Sequence, residues 1–175
     1  FSLALDQITL DSASLPPSTR THGKNTVVYT TVSVPYTVRV VYELRPGWRF
    51  VSKQVFLETT GTAPYHVKSV TPLRATLQEP IASQLLNRGG SFGAFVRFGD
   101  PANSGASARD GMFFVLQNPF MQWKRTDQTI SASYDPDMDW QRPYGAFAAD
   151  RVCIGTYKLS GHGFPVAMVA EWKYE

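Results

Sequence analysis

The sequence predicts an all-β domain, an antiparallel β-sandwich with roughly nine or ten strands and little helix. Three observations carry that prediction. Twelve prolines and thirteen glycines accompany abundant Val, Thr, Tyr and Phe, a composition suited to short strands joined by tight turns. Apolar residues alternate with a period of two in several stretches. Strand-like runs and turn signals recur at regular spacing with no helical period between them, which argues for a sandwich.

The clearest strand signal lies in residues 27–44. Val27-Val28-Tyr29-Thr30-Thr31-Val32 leads to Pro35, after which Tyr36, Val38, Val40, Tyr42 and Leu44 alternate with Thr37, Arg39, Val41 and Glu43. Proline has no N–H to give to a ladder, so two strands around a bend, or an edge strand with a bulge, are expected there. Arg45-Pro46-Gly47-Trp48 has the chemistry of a turn. The run from Arg49 to Thr60 alternates again, with Val51, Val55 and Leu57 as core candidates, and ends at Gly61-Thr62-Ala63-Pro64. Together with 36–44 it reads as a hairpin.

Tyr65 to Leu77 reads as extended and interrupted at Pro72, and Glu79 to Asn87 is the one place where a short helix is expected. Ser91 to Phe98 is a strand, 99–109 a Gly/Ala/Ser/Asn-rich loop, and Gly111 to Gln117 a strand with the dense run Met112-Phe113-Phe114-Val115-Leu116. A continuous apolar run bounded by turns suits a central strand covered on both faces. Asn118-Pro119 stops it. Strands at Thr129–Tyr134, Arg151–Leu159 and Val166–Tyr174 complete the set.

At 175 residues the chain is one domain's worth, long enough for a real core. A single sandwich domain over 1–175 is expected, as a fragment of something longer or a processed product, since it begins at Phe1. With 18% charged and 43% hydrophobic residues, disordered and coiled-coil chains are excluded, and no apolar run is long enough to span a bilayer. Net charge is +3 with scattered basic residues, so neither nucleic acid nor a membrane is expected as a partner. Lys124-Arg125, followed by Asp127, reads as a solvated turn. Cys153 lies in the apolar run Val152-Cys153-Ile154 and reads as a buried thiol. Absent disulfides leave the compartment open, with a secreted or periplasmic location favoured over the cytosol.

The most conspicuous chemical pattern is Tyr134-Asp135-Pro136-Asp137-Met138-Asp139-Trp140, with carboxylates at alternate positions. An EF-hand would need Gly at its sixth position and Glu at its twelfth, where Trp140 and Ala146 stand. A different calcium site on Asp135, Asp137 and Asp139 is still compatible with hard oxygen ligands; no other cofactor is expected. Asp137, Asp139 and Trp140 also suit carbohydrate, because a carboxylate accepts hydrogen bonds from sugar hydroxyls while an indole covers the apolar face of a pyranose. The alternative is an acidic loop that caps the neighbouring strand.

Other patterns carry less. His22, His66 and His162 have no metal-ligand spacing, and His162 reads as an exposed loop residue. Gly89-Gly90-Ser91-Phe92-Gly93 lacks the lysine of a phosphate loop. No nucleophile-elbow or dinucleotide motif is present. A glycosidase needs two facing carboxylates about 5–10 Å apart; Glu43 and Glu58 fall on paired strands, but both read as members of a solvent-facing charged surface. Trp48, Trp123, Trp140 and Trp172 read individually as core or rim residues.

Four strings carry a family resemblance: Val41-Tyr42-Glu43-Leu44-Arg45-Pro46-Gly47-Trp48-Arg49-Phe50, Phe114-Val115-Leu116-Gln117-Asn118-Pro119-Phe120, Ser133-Tyr134-Asp135-Pro136-Asp137-Met138-Asp139-Trp140 and Ala149-Asp150-Arg151-Val152-Cys153-Ile154-Gly155. Over residues 27 to 160 the chain resembles the N-terminal β-supersandwich, galactose-mutarotase-like domain of alpha-galactosidase-like glycoside hydrolases and their bacterial relatives. The resemblance implies a stack of antiparallel sheets without the catalytic aspartates, which belong to the barrel that follows in that family. It implies a non-catalytic carbohydrate-associated domain, with sugar and an adjoining catalytic domain or subunit as partners, and Asp135 to Trp140 as the loop lent to a sugar site. The alternative is a structural sandwich that docks on a partner through an apolar patch.

Overall fold

The computed structural model describes residues 1–86, 93–100, 102 and 110–158. Fifteen strands are found among them, in two stacked antiparallel sheets. The first sheet runs β11-β12-β7-β1-β2, from Gln122–Thr126, Thr129–Tyr134, Tyr65–Thr76, Ser2–Leu5 and Thr9–Asp11, with β13 (Met138–Trp140) added to one end of β7. The second runs β3-β4-β5-β6-β15-β10-β9-β8, from Thr19–His22, Thr26–Ser33, Tyr36–Glu43, Phe50–Thr59, Val152–Lys158, Asp110–Leu116, Gly93–Phe98 and Ile81–Leu86, with β14 (Phe147–Ala148) on β6. The count exceeds the expected nine or ten because several strands are only two to four residues long. Among the described residues helical geometry is limited to 3-10 structure, at the turn Arg142–Tyr144 and at Ala102.

Alternation decides which side chains enter the core. Val38 and Val40 of β5 and Val55 and Leu57 of β6 are buried at positions of one parity, and meet Leu3, Val67, Val70 and Ile130 of the other sheet in one continuous cluster. The hairpin of residues 36–60 forms with Tyr36 opposite Thr59 and Glu43 opposite Ser52. Pro35 falls in the turn between β4 and β5, where no ladder donor is required.

Strand β10 lies between β15 and β9, and its neighbours Phe113 and Phe114 are both buried although they point to opposite faces. Phe113 has room on its face because its partner across the ladder is Gly155; a Cβ there would collide with the Phe113 ring. Cys153 is buried and free, and burial pushes its thiol up to about 12.

Three local expectations are corrected. Pro72 does not interrupt its strand: β7 is continuous over twelve residues, because Pro72 coincides with an irregularity where the pairing with β12 steps from Leu73–Ala132 to Val70–Tyr134. The expected helix over 79–87 is strand β8 through Leu86, paired with β9. Two helical turns are too few to be stable alone, whereas edge pairing satisfies the backbone groups. Lys124 and Arg125 lie in strand β11, and the turn is Asp127-Gln128, with Asp127 at φ 52 in the left-handed region that aspartate tolerates. His162, Trp172 and the strand expected at Val166–Tyr174 lie outside the described residues, as do residues 89–92 of the glycine-rich run and most of the expected 99–109 loop.

Candidate functional site

The loop singled out by its alternating carboxylates joins β12 to β13. Antiparallel pairing of β13 with the start of β7 sets Asp139 directly opposite His66 and Trp140 opposite Tyr65. Residues directly opposite one another present their side chains on the same face of a sheet, and Asp137, two positions before Asp139, comes to that face through a backbone φ of 46. His66 then bridges the two acids: Nδ1 is 2.7 Å from Asp139 Oδ1, and Nε2 is 2.9 Å from Asp137 Oδ1. In the imidazolium form both ring nitrogens donate, one to each carboxylate. The Asp139 hydrogen bond, then that of Asp137, holds the imidazole above its ordinary 6.5.

Exposure differs sharply within this clasp. The Asp137 and Asp139 side chains are 80% and 85% exposed and the His66 ring 24%, so the carboxylates keep free lone pairs toward solvent. Trp140 is half-buried. Its Nε1 donates to the Gly145 carbonyl at 3.0 Å, and its ring meets the edges of Tyr144 and Phe147 at centroid distances of 5.6 and 5.5 Å. Trp140, opposite the buried Tyr65, therefore points to the other face of β13 from Asp139, toward the core, with the 3-10 turn of residues 142–144 as its support.

Asp135 goes elsewhere. It lines a cleft of about 510 Å³ together with Tyr134, Phe120, Met138, Asn118 and Asp150. A hydrogen-bond relay shapes this cleft: the Asp150 N–H donates to the Tyr134 hydroxyl at 2.8 Å, Asn118 Nδ2 donates to Asp150 Oδ2 at 2.7 Å, and the Phe120 N–H donates to Asn118 Oδ1 at 2.8 Å. The relay fixes Phe120, whose ring is 82% exposed. The expected calcium triad of Asp135, Asp137 and Asp139 is thus not assembled, since two of its carboxylates meet on His66 and the third lines the cleft. Among the described residues no three His, Cys, Asp or Glu side chains gather as metal ligands.

Glu43 and Glu58 do not face one another. They stand at opposite ends of the β5–β6 hairpin, Glu58 on Arg39 and Glu43 on Arg45 at 2.6 Å. Glu43 also departs from the expected solvent face, with a side chain only 15% exposed between Arg45 and Arg151. Trp48 stacks on Phe50 at 4.7 Å and lies within 5.2 Å of the Arg45 guanidinium. Trp123 packs partly buried against Phe114. No helix among the described residues is long and apolar enough to cross a membrane.

Sequence reasoning missed His66, Phe120 and Asp150. His66 is separated from its acids by 71 and 73 positions, so no local spacing could join them. A signal for Phe120 was present in Asn118-Pro119, a turn pair that leaves the next side chain outside the ladder.

No family model matches the sequence, and no curated protein matches it. Among solved structures, one described as "Putative kojibiose phosphorylase from human microbiome" superposes on 98% of this chain with a TM-score of 0.55 and 7% identity. The chain spans only 23% of that protein. At this identity the likeness shows the fold: the two-sheet sandwich recurs as part of a much longer chain.

Proposed function

We propose that this chain is a non-catalytic, carbohydrate-associated sandwich that supports an adjoining glycoside-processing domain and presents Asp137, Asp139 and Trp140 to sugar. The observation that supports it most is the match of nearly the whole chain to less than a quarter of a protein described as a kojibiose phosphorylase, which is what an accessory domain beside a larger catalytic unit would give. The local geometry supports the acidic part of this surface: His66 orients two exposed carboxylates as acceptors for sugar hydroxyls, while Trp140, on the other face of β13, would reach sugar by the edge that its half-burial leaves exposed.

The second reading, a sandwich that docks on a partner domain or subunit, draws on Phe120. A phenyl ring 82% exposed beside Met138, which is 39% exposed, offers an apolar knob at the mouth of the cleft.

Titration with kojibiose and galactosides by calorimetry tests the first reading. Saturable binding is expected, weakened at least tenfold in Trp140→Ala and in Asp139→Asn, with near-ultraviolet circular dichroism verifying the fold. Folded variants that bind undiminished would remove this surface from the site. Blank sugar titrations, with association to a catalytic domain that is lost in Phe120→Ser, would favour docking.

A further inference from the structure

A second cleft, of about 490 Å³, opens between the two sheets on the side of β4, β5 and β6. Its lining includes Lys53, Arg74, Tyr29, Tyr42, Thr31 and Ser12. The volume is that of a small-molecule site.

Lys53 is the unusual member. It shares the inward parity of Val55 and Leu57 on β6 and lies between Tyr42 of β5 and Val152 of β15. Its residue surface is 6% exposed, yet among the described residues no carboxylate, carbonyl or hydroxyl bonds to its ammonium, which lies 5.8 Å from the centre of the Phe1 ring. A buried cation without a counter-ion is destabilising and rare in folded proteins. Burial, with repulsion from Arg74 second, holds its ammonium down to about 8.

Arg74 does not share this condition. Its guanidinium grips Asp11 with two hydrogen bonds, Nη2 to Oδ1 at 2.6 Å and Nη1 to Oδ2 at 3.0 Å. Of the two basic side chains in the cleft, only Lys53 is therefore left without an ionic partner, a match for a monoanion. Tyr29 and Tyr42, in edge-to-face contact at 6.0 Å, contribute ring surface and hydroxyls to the wall, and Thr31 and Ser12 add two more hydroxyls. This set suits a ring that carries its own hydroxyls.

We propose that the cleft around Lys53 binds a small monocarboxylate on a hydroxylated ring, an acidic sugar of the hexuronate class, with the carboxylate on the Lys53 ammonium. The site lies apart from the Asp137–Asp139–Trp140 surface and does not depend on it.

Calorimetric titration of the full chain with glucuronate, glucose, benzoate and inorganic phosphate tests the assignment. Glucuronate is expected to bind saturably, at least tenfold more weakly in Lys53→Met and Lys53→Gln, and undiminished in Lys124→Gln, which removes an exposed lysine outside the cleft. Glucose, which lacks the charge, is expected to bind at least tenfold more weakly than glucuronate. Benzoate or phosphate binding as tightly as glucuronate would overturn the hydroxylated-ring assignment. Absent glucuronate binding, or binding held within twofold in both Lys53 variants, would overturn the site itself.

Discussion

The two polar regions of this sandwich treat charge in opposite ways. At the β7–β13 edge, His66 is partnered twice by acids that are themselves four-fifths exposed. Between the sheets, Lys53 is almost wholly buried and has no ionic partner. Exposed charges gain little from pairing, because water already solvates them, whereas a buried charge without a partner loses most of its hydration. The first region therefore makes a geometric contribution by orienting two carboxylates, and the second stores an electrostatic one that an anionic ligand can relieve.

The largest expected effect removes that stored term. Lys53 has its ammonium lowered from 10.5 to about 8, so between those values the folded chain binds fewer protons than the unfolded one and stability rises with pH. Below about pH 8 the full penalty is present, on the order of 3 kcal/mol from the shift alone. Lys53→Met should stabilise the chain at pH 7 by up to about that amount. It should also flatten the rise between pH 8 and 10.5 in urea denaturation. A variant no more stable than the parent would break the contrast between the regions.

A smaller effect follows from Asp11→Asn. Arg74 loses its ionic partner and becomes a second free cation beside Lys53, which should lower stability by about 1 kcal/mol near pH 7, given that both groups are partly exposed. The Asp11 carboxyl is held below its ordinary 3.8 mainly by the Arg74 hydrogen bond, so the parent should lose this contribution as pH falls through the folded value, and the variant should not.

The smallest effects belong to the histidine clasp. His66 is raised above 6.5, so its stabilising contribution is complete below 6.5 and disappears as pH rises through the folded value. Nuclear magnetic resonance titration of the ring should give a midpoint above 6.5 that falls in Asp139→Asn and, by less, in Asp137→Asn. Equal midpoints in parent and variants would mean that the bridge does not persist in solution.

Much of the sandwich was legible. The β5–β6 hairpin, the doubly covered strand at Phe113 and Phe114, and the buried Cys153 all follow from apolar patterning over a few residues. The run from Arg49 to Thr60 even contained the signal for Lys53, which shares the parity of Val55 and Leu57, although its charge hid its place among core positions. The Asp135–Trp140 loop was visible as a pattern but not as a geometry. Its carboxylates read alike in sequence, yet Asp137 and Asp139 reach His66 while Asp135 lines the Phe120 cleft.

Sequence by itself determined the longer strands with a clear apolar alternation, such as β5, β6 and β10, and their inward faces, because period-two alternation and proline or glycine punctuation act over a few residues; it did not determine β8 or the short strands β1 to β3. Tertiary structure alone decided that Asp139 pairs with His66, that Asp135 parts from its neighbours, and that Lys53 meets no acid. Those outcomes depend on the register between strands distant in the chain and on one left-handed residue, Asp137, and a one-residue slip in register would reverse which face each side chain occupies.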